Sequence, residues 1–175
     1  MAFDPRQLTE LAAQYSTPLW VYDAAVIRER IAQLRRFDVI RYAQKACSNL
    51  HILRLMRAEG VMVDAVSLGE IERSLAAGYQ PEGEPAGVVF TADLIDHATL
   101  ATVIKHGVTV NAGSLDMLER VGQAAPGHRV WLRINPGFGH GHSNKTNTGG
   151  EHSKHGIWHS DLLAALQAIR DGGLK

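Results

Sequence analysis

Lys45 is the residue of this sequence whose placement most directly suggests covalent chemistry. It follows the apolar run Val39 to Ala43 and stands between Gln44 and Ala46. Burial in such surroundings disfavours an ammonium group and lowers its pKa. The neutral amine is a nucleophile that forms a Schiff base with an aldehyde. A plainer use is also open to a lysine at a strand end, with its stem along apolar surface and its charge in water. These residues alone leave both readings standing.

Asp64 comes late in a second apolar run, Val61 to Val66. A buried carboxylate needs a partner, and a salt bridge to an Arg or Lys fits as well as a catalytic role. Glu70 stands three residues after Ser67, which is capping-box spacing, so it serves a helix start or a site equally. Cys47 is the one cysteine. It can form no disulfide within the chain, and its plain reading is a small buried side chain.

Five of the nine histidines fall between His140 and His159. Such a cluster raises the question of metal. The Gly-rich context reads as a loop, and zinc-ligand spacing on a helix or strand is absent, so no metal is expected. The loop better suits a lid or backbone-amide contacts to a phosphate or carboxylate. Gly137-Phe138-Gly139 is no P-loop, since no Gly-Lys-Ser/Thr follows in register.

These residues need a scaffold, and the chain supplies a regular one. Asp4 to Tyr15 reads as a short polar helix and Pro18 to Asp23 as a short strand. Val26, Ile27, Ile31 and Leu34 then recur at helical spacing. Strand-like runs follow at Val39 to Ala43, Val61 to Val66, Gly87 to Phe90, Val108 to Val110 and Val130 to Ile134. The first turn-side residues, Lys45, Ser67, Thr91, Ser114 and Pro136, are 22, 24, 23 and 22 residues apart. Ser67, then Thr91 or Asp93, then Ser114 are the expected helix caps. Gly60, Gly78 and Gly107 fall at the expected helix ends. A last helix from about Ser160 to Arg170 sets Leu162, Leu163, Leu166 and Ile169 on one face.

Strands alternating with helices predict an α/β fold with a parallel sheet. A doubly wound sheet and a (β/α)8 TIM-type barrel compete. No GxGxxG follows the first strand, which weakens the dinucleotide-binding version. Polar residues gathered after successive strands suit a barrel. Only about five β-α units are present, where a closed barrel has eight. A chain ending at Lys175 would therefore expose sheet edges and apolar faces, and is expected to associate and to be inactive alone.

The composition is that of a globular protein, with 45% hydrophobic and 21% charged residues and a formal net charge of zero. Nothing here points to nucleic acid or an anionic membrane as partner. No apolar run nears the roughly 18 residues of a membrane span. Met1 to Glu10 shows no secretory leader, so the expected location is cytoplasmic.

Four motifs, taken in order, resemble one enzyme family. Tyr42-Ala43-Gln44-Lys45-Ala46 is similar to the cofactor-lysine motif of the pyridoxal-phosphate-dependent decarboxylases acting on diaminopimelate, ornithine and arginine. These share a barrel fold with alanine racemase. Val63 to Ile71, Val110 to Ser114 and Leu132 to Gly137 resemble the family's second, fourth and fifth strand motifs. The run Gly139 to Gly156, with Lys145-Thr146-Asn147-Thr148-Gly149-Gly150 and Ser153-Lys154-His155-Gly156, is similar to the diaminopimelate branch.

The resemblance implies that Lys45 carries pyridoxal phosphate and that the carboxylate on the D-configured carbon of diaminopimelate leaves as carbon dioxide, giving L-lysine. It places Arg133 near the cofactor, and Asp64, Glu70, Asn111 and Ser114 around the barrel mouth. Residues 1–36 would pack with a β-domain, and 37–175 would begin the cofactor-binding barrel of a homodimer. Cys47 does not match the family's catalytic cysteine, which lies in a later segment. Another decarboxylase or racemase of this fold, or a non-catalytic homologue, remains the alternative.

Overall fold

The computed structural model describes residues 3–139 and 147–175. Two helices lead the chain, α1 (Pro5–Tyr15) and α2 (Ala24–Ala32). An aspartate starts each: Asp4 accepts from the Arg6 N–H at 2.9 Å and Asp23 from the Ala25 N–H at 2.7 Å. Among the described residues, the Pro18 to Asp23 segment, expected as a strand, pairs with no sheet. With no neighbouring strand, its backbone has no ladder to join. Asp23 is taken by the helix cap, and Leu19, Trp20 and Tyr22 are exposed.

The five expected β-α strands are β1 (Arg41–Ala43), β2 (Met62–Ala65), β3 (Val88–Phe90), β4 (Thr109–Ala112) and β5 (Val130–Leu132). All neighbours are parallel, and their spatial order is β1-β2-β3-β4-β5. A doubly wound sheet must reverse its order at a switch point. Here each strand lies beside its neighbour in sequence, which is barrel order.

Helices α3 (Leu50–Ala58), α4 (Leu68–Ala76), α5 (His97–His106) and α6 (Leu115–Ala124) follow the first four strands. They cover one sheet face. Val63, Ala65, Val88, Phe90, Val110 and Ala112 meet Leu53, Ile71, Val103 and Leu118 in the core. Ser67 caps α4 by accepting from the Glu70 N–H at 3.3 Å, while the Glu70 carboxylate reaches back to the Val66 N–H at 2.8 Å. Ser114 caps α6 as expected. The cap of α5 is neither Thr91 nor Asp93 but Asp96, which accepts from the Thr99 N–H at 2.7 Å. The two expected residues are engaged at the sheet's carboxyl edge instead. Gly60, Gly78 and Gly107 end their helices at φ 73°, 90° and 62°, where glycine is unstrained.

The fifth run divides. Arg133 donates its N–H to Ala112 O at 2.9 Å, and its carbonyl accepts from the Ile157 N–H at 2.8 Å. The residue hands the chain from β4 to a new neighbour, so β6 (Ile134–Asn135) pairs with β7 (Ile157–Trp158). On the other side, Val130 donates to Lys175 O at 2.8 Å and Lys175 donates to His128 O at 2.9 Å. Lys175 thus lies alongside β5 in the place of a next strand.

The last helix, α7 (Leu162–Asp171), does not bury the leucine face that periodicity suggested. Ala165 is its buried residue, with Ala168 and Ile169 against the core, while Leu162, Leu163 and Leu166 are exposed. The reason is close approach to α6. A Cβ on Gly122 would lie 2.7 Å from Gly172 Cα. Small residues alone allow that spacing, and the leucines face away.

Candidate functional site

Side chains alternate across a strand, so Asp64 points opposite to Val63 and Ala65. In register, the inner, helix-free face carries Arg41, Ala43, Met62, Asp64, Val89, Thr109, Asn111 and Trp131. Polar groups concentrate toward its carboxyl end. The Thr91 hydroxyl donates to Asp64 Oδ1 at 2.6 Å, and Asn111 Nδ2 donates to Thr91 Oγ1 at 3.4 Å. This chain joins β2, β3 and β4. The partner of Asp64 among the described residues is therefore a hydroxyl, where an Arg or Lys was an equal expectation.

Burial pushes the Asp64 carboxyl above its ordinary value. The Thr91 hydrogen bond and the positive charges of Arg41, Lys45 and Arg133 offset part of that rise. Asp64 thus has three cations within electrostatic reach. Arg41 forms the floor. Its guanidinium donates to Val63 O at 2.9 Å and Ala86 O at 2.8 Å and lies 5.4 Å from the Trp131 ring centroid. Burial lowers its pKa, and Asp64 counters the effect.

Lys45 lies in the one-turn 3-10 helix Gln44–Ala46 that ends β1. It is exposed, as in the plainer of the two readings of a lysine at a strand end. The other edge of β1 has no strand beside it among the described residues, so nothing covers the lysine from that side. Cys47 is half-buried rather than buried, with Sγ 3.7 Å from the Tyr22 hydroxyl. Of the other expected site residues, Asn111 joins Asp64 through Thr91, while Glu70 and Ser114 work as helix-start residues.

Arg133 leads to a cluster that the sequence reading missed. Asp93 is met by a histidine ring and two cationic side chains: His155 Nδ1 at 2.8 Å, Lys154 Nζ at 3.3 Å and Arg133 Nη1 at 3.5 Å. It ties the loop after β3 to the segment before β7. Its only signal in the sequence is an acid soon after Thr91, and that was read as a cap. The expectations for His140, His142, Lys145 and Thr146 lie outside the described residues. Among the described residues, no three His, Cys, Asp or Glu side chains converge as a metal site would require, and no helix is long and apolar enough to cross a membrane.

The Asp93 cluster carries a pH prediction. Desolvation raises the Asp93 carboxyl, but hydrogen bonds and charge from His155 and Lys154 outweigh it and hold the pKa below the ordinary range. A depressed acid contributes stability above its unfolded pKa and loses it as pH falls through the folded value. In the full-length protein carrying this sequence, Asp93→Asn should cost up to about 1 kcal/mol near neutrality, given partial exposure. The difference should vanish in acid below the depressed value. Urea midpoints of both proteins across that range check it, and a pH-independent difference contradicts it.

The chain matches known proteins along nearly its whole length. The sequence model of the family described as pyridoxal-dependent decarboxylase, pyridoxal binding domain, matches residues 24–175. Diaminopimelate decarboxylase of Streptomyces coelicolor is 66% identical over 173 residues, covering 99% of this chain and 39% of that protein. The Escherichia coli K12 enzyme of the same name is 66% identical over 163 residues, covering 93% and 39%. A crystal structure of a diaminopimelate decarboxylase superposes with a TM-score of 0.91 at 64% identity, covering 97% of this chain and 40% of that one. That of the Helicobacter pylori enzyme complexed with L-lysine gives 0.85 at 27% identity, over 96% and 44%. The chain spans about two fifths of the length of the curated relatives it matches. With barrel strand order, a lysine at the carboxyl end of β1 and a family match over residues 24–175, the chain belongs to the pyridoxal-dependent decarboxylases, in their pyridoxal-binding domain.

Proposed function

We propose that this chain is the amino-terminal part of an enzyme that decarboxylates meso-diaminopimelate to L-lysine with pyridoxal phosphate. The observation that carries the reading is the position of Lys45. It stands exposed at the carboxyl end of β1, beside an inner wall bearing Asp64, Thr91, Asn111 and Arg133. An accessible primary amine is what an aldehyde cofactor requires, so the residues present fit that group. The substrate assignment rests on the relatives named diaminopimelate decarboxylase and on the L-lysine bound in the Helicobacter pylori structure.

Pyridoxal phosphate, when bound, supplies the conjugated ring that accepts the electron pair left by departing carbon dioxide. The protein's residues do the rest. Lys45 holds the aldehyde carbon through its Nζ. Arg133 offers positive charge at the mouth. The Asp64–Thr91–Asn111 chain fixes a polar wall whose donors and acceptors are already oriented, so little reorganisation accompanies the reaction. Glu70 and Ser114 act from the helix starts beside that wall. Residues 1–36 serve as a segment for packing against a further domain, and the working enzyme is a cytoplasmic homodimer.

The test is borohydride reduction of the full-length protein with pyridoxal phosphate, followed by peptide mapping. The label should sit on Lys45. Carbon dioxide release from meso-diaminopimelate, compared with ornithine and arginine, tests the substrate. Label on Lys105 or Lys154, or preference for another amino acid, contradicts the proposal.

A further inference from the structure

Gln44 precedes Lys45 in the 3-10 turn and is the one buried residue of that turn. The side chains of Gln44 and Ser74 both have 0% exposure, in a core that is otherwise mainly apolar. Gln44 Nε2 donates to Ser74 Oγ at 2.7 Å, and Ser74 Oγ donates to Glu70 O at 2.8 Å. The Glu70 carboxylate in turn accepts from the Val66 N–H at 2.8 Å. Hydrogen bonds thus run from the lysine turn through Ser74 to the Glu70 carbonyl on α4, and the separate carboxylate of the same Glu70 holds the carboxyl end of β2.

The other end of the same amide is unsatisfied. Gln44 Oε1 is buried and has no hydrogen-bond partner among the described residues. An orphaned buried acceptor is unfavourable, whereas an apolar side chain of similar shape would fill the space without that penalty. Stability alone therefore gives no reason for glutamine here. What the amide adds is direction. A single 3-10 turn holds itself weakly, and among the described residues this one ends a strand paired on one edge. The bond to Ser74 fixes its rotation about the β1 axis.

We propose that Gln44, through Ser74, is a positioning residue that sets how the Lys45 amine enters the mouth. The inference rests on the reading of Lys45 as the cofactor lysine. Misplacing a reacting group by a fraction of its length carries a large penalty, and a fixed amide direction guards against it even with one oxygen unpaired among the described residues.

The experiment uses full-length protein with Gln44→Met, and with Ile71→Val as a control. Ile71 is buried on the same helix but has no place in the hydrogen-bond chain. Two quantities are read: the melting temperature of cofactor-free protein, and the apparent dissociation constant for pyridoxal phosphate from the visible band of the lysine-bound cofactor. Gln44→Met should leave the melting temperature unchanged or raised while weakening cofactor binding on the order of tenfold. Ile71→Val should lower the melting temperature with binding near wild type. Wild-type binding in Gln44→Met, or equal weakening in the control, overturns the inference and leaves Lys45 as the cofactor lysine. Absence of borohydride-fixed label from Lys45 in the wild-type protein overturns the proposed function, and this inference with it.

Discussion

Lys45→Ala should abolish the visible band of lysine-bound pyridoxal phosphate and lower carbon dioxide release from meso-diaminopimelate by about 10³-fold or more, as removal of a covalent catalytic group does. Folding should be almost untouched. Lys45 is exposed, and exposed substitutions typically fall within about 0.5 kcal/mol. The separation is the point of the experiment. Lys45→Arg keeps a positive charge near Asp64 but offers no amine nucleophile, so it should be as inactive as the alanine variant. If the arginine variant kept most of the activity, Lys45 would be an electrostatic partner of Asp64 rather than the cofactor lysine. Absorption spectra and turnover on the same preparations give the answer.

Phe90→Ala carries the largest expected stability effect. Phe90 is 1% exposed and belongs to the set of large, fully buried side chains at the centre of the core. It ends β3 on the helix-covered face, opposite Ala65 on β2 and Val110 on β4 in the register. Both neighbouring strands are held by backbone pairing, so the space left by a lost ring cannot collapse freely. Truncation of a buried Phe costs about 3–5 kcal/mol. Leu94→Ala, only four residues on, should cost within about 0.5 kcal/mol because Leu94 is 86% exposed. Denaturant unfolding of the two variants in the full-length protein checks the pair. A small effect at Phe90 would contradict the core assigned here.

The parts legible in the sequence were those governed by local rules. Apolar runs at a steady spacing marked all five parallel strands, and Ser67, Ser114, Gly60, Gly78 and Gly107 marked helix ends through their own backbone chemistry. Tertiary partners were not legible. Thr91 and Asp93 look like caps in isolation, yet one is drawn to Asp64 on a neighbouring strand and the other to a segment about sixty residues away. Periodicity assigned the inward face of α7 to leucines, while the Gly122–Gly172 contact gave it to alanines. Lys45 was found by its motif, but its exposure depends on what lies beside β1, which no local pattern encodes. Gln44 gave no signal at all, since its meaning comes from Ser74, thirty residues later.

Because every strand pairs with its immediate predecessor, this sheet can be assembled in the order in which the chain is made. Successive units are separated by 22 to 24 residues, which a ribosome delivers in about one to five seconds at ordinary synthesis rates. Helix formation and short loop closure take microseconds or less. Each new strand therefore emerges long after its docking edge is ready, and no pairing has to wait for a distant one. The growing edge advances from β1 toward β5, and on to Lys175 alongside it. Among the described residues the first edge stays open, and that edge belongs to the strand leading to Lys45. Nascent chains of this design should bury their outer core early, while the Lys45 amine is among the last groups to be enclosed.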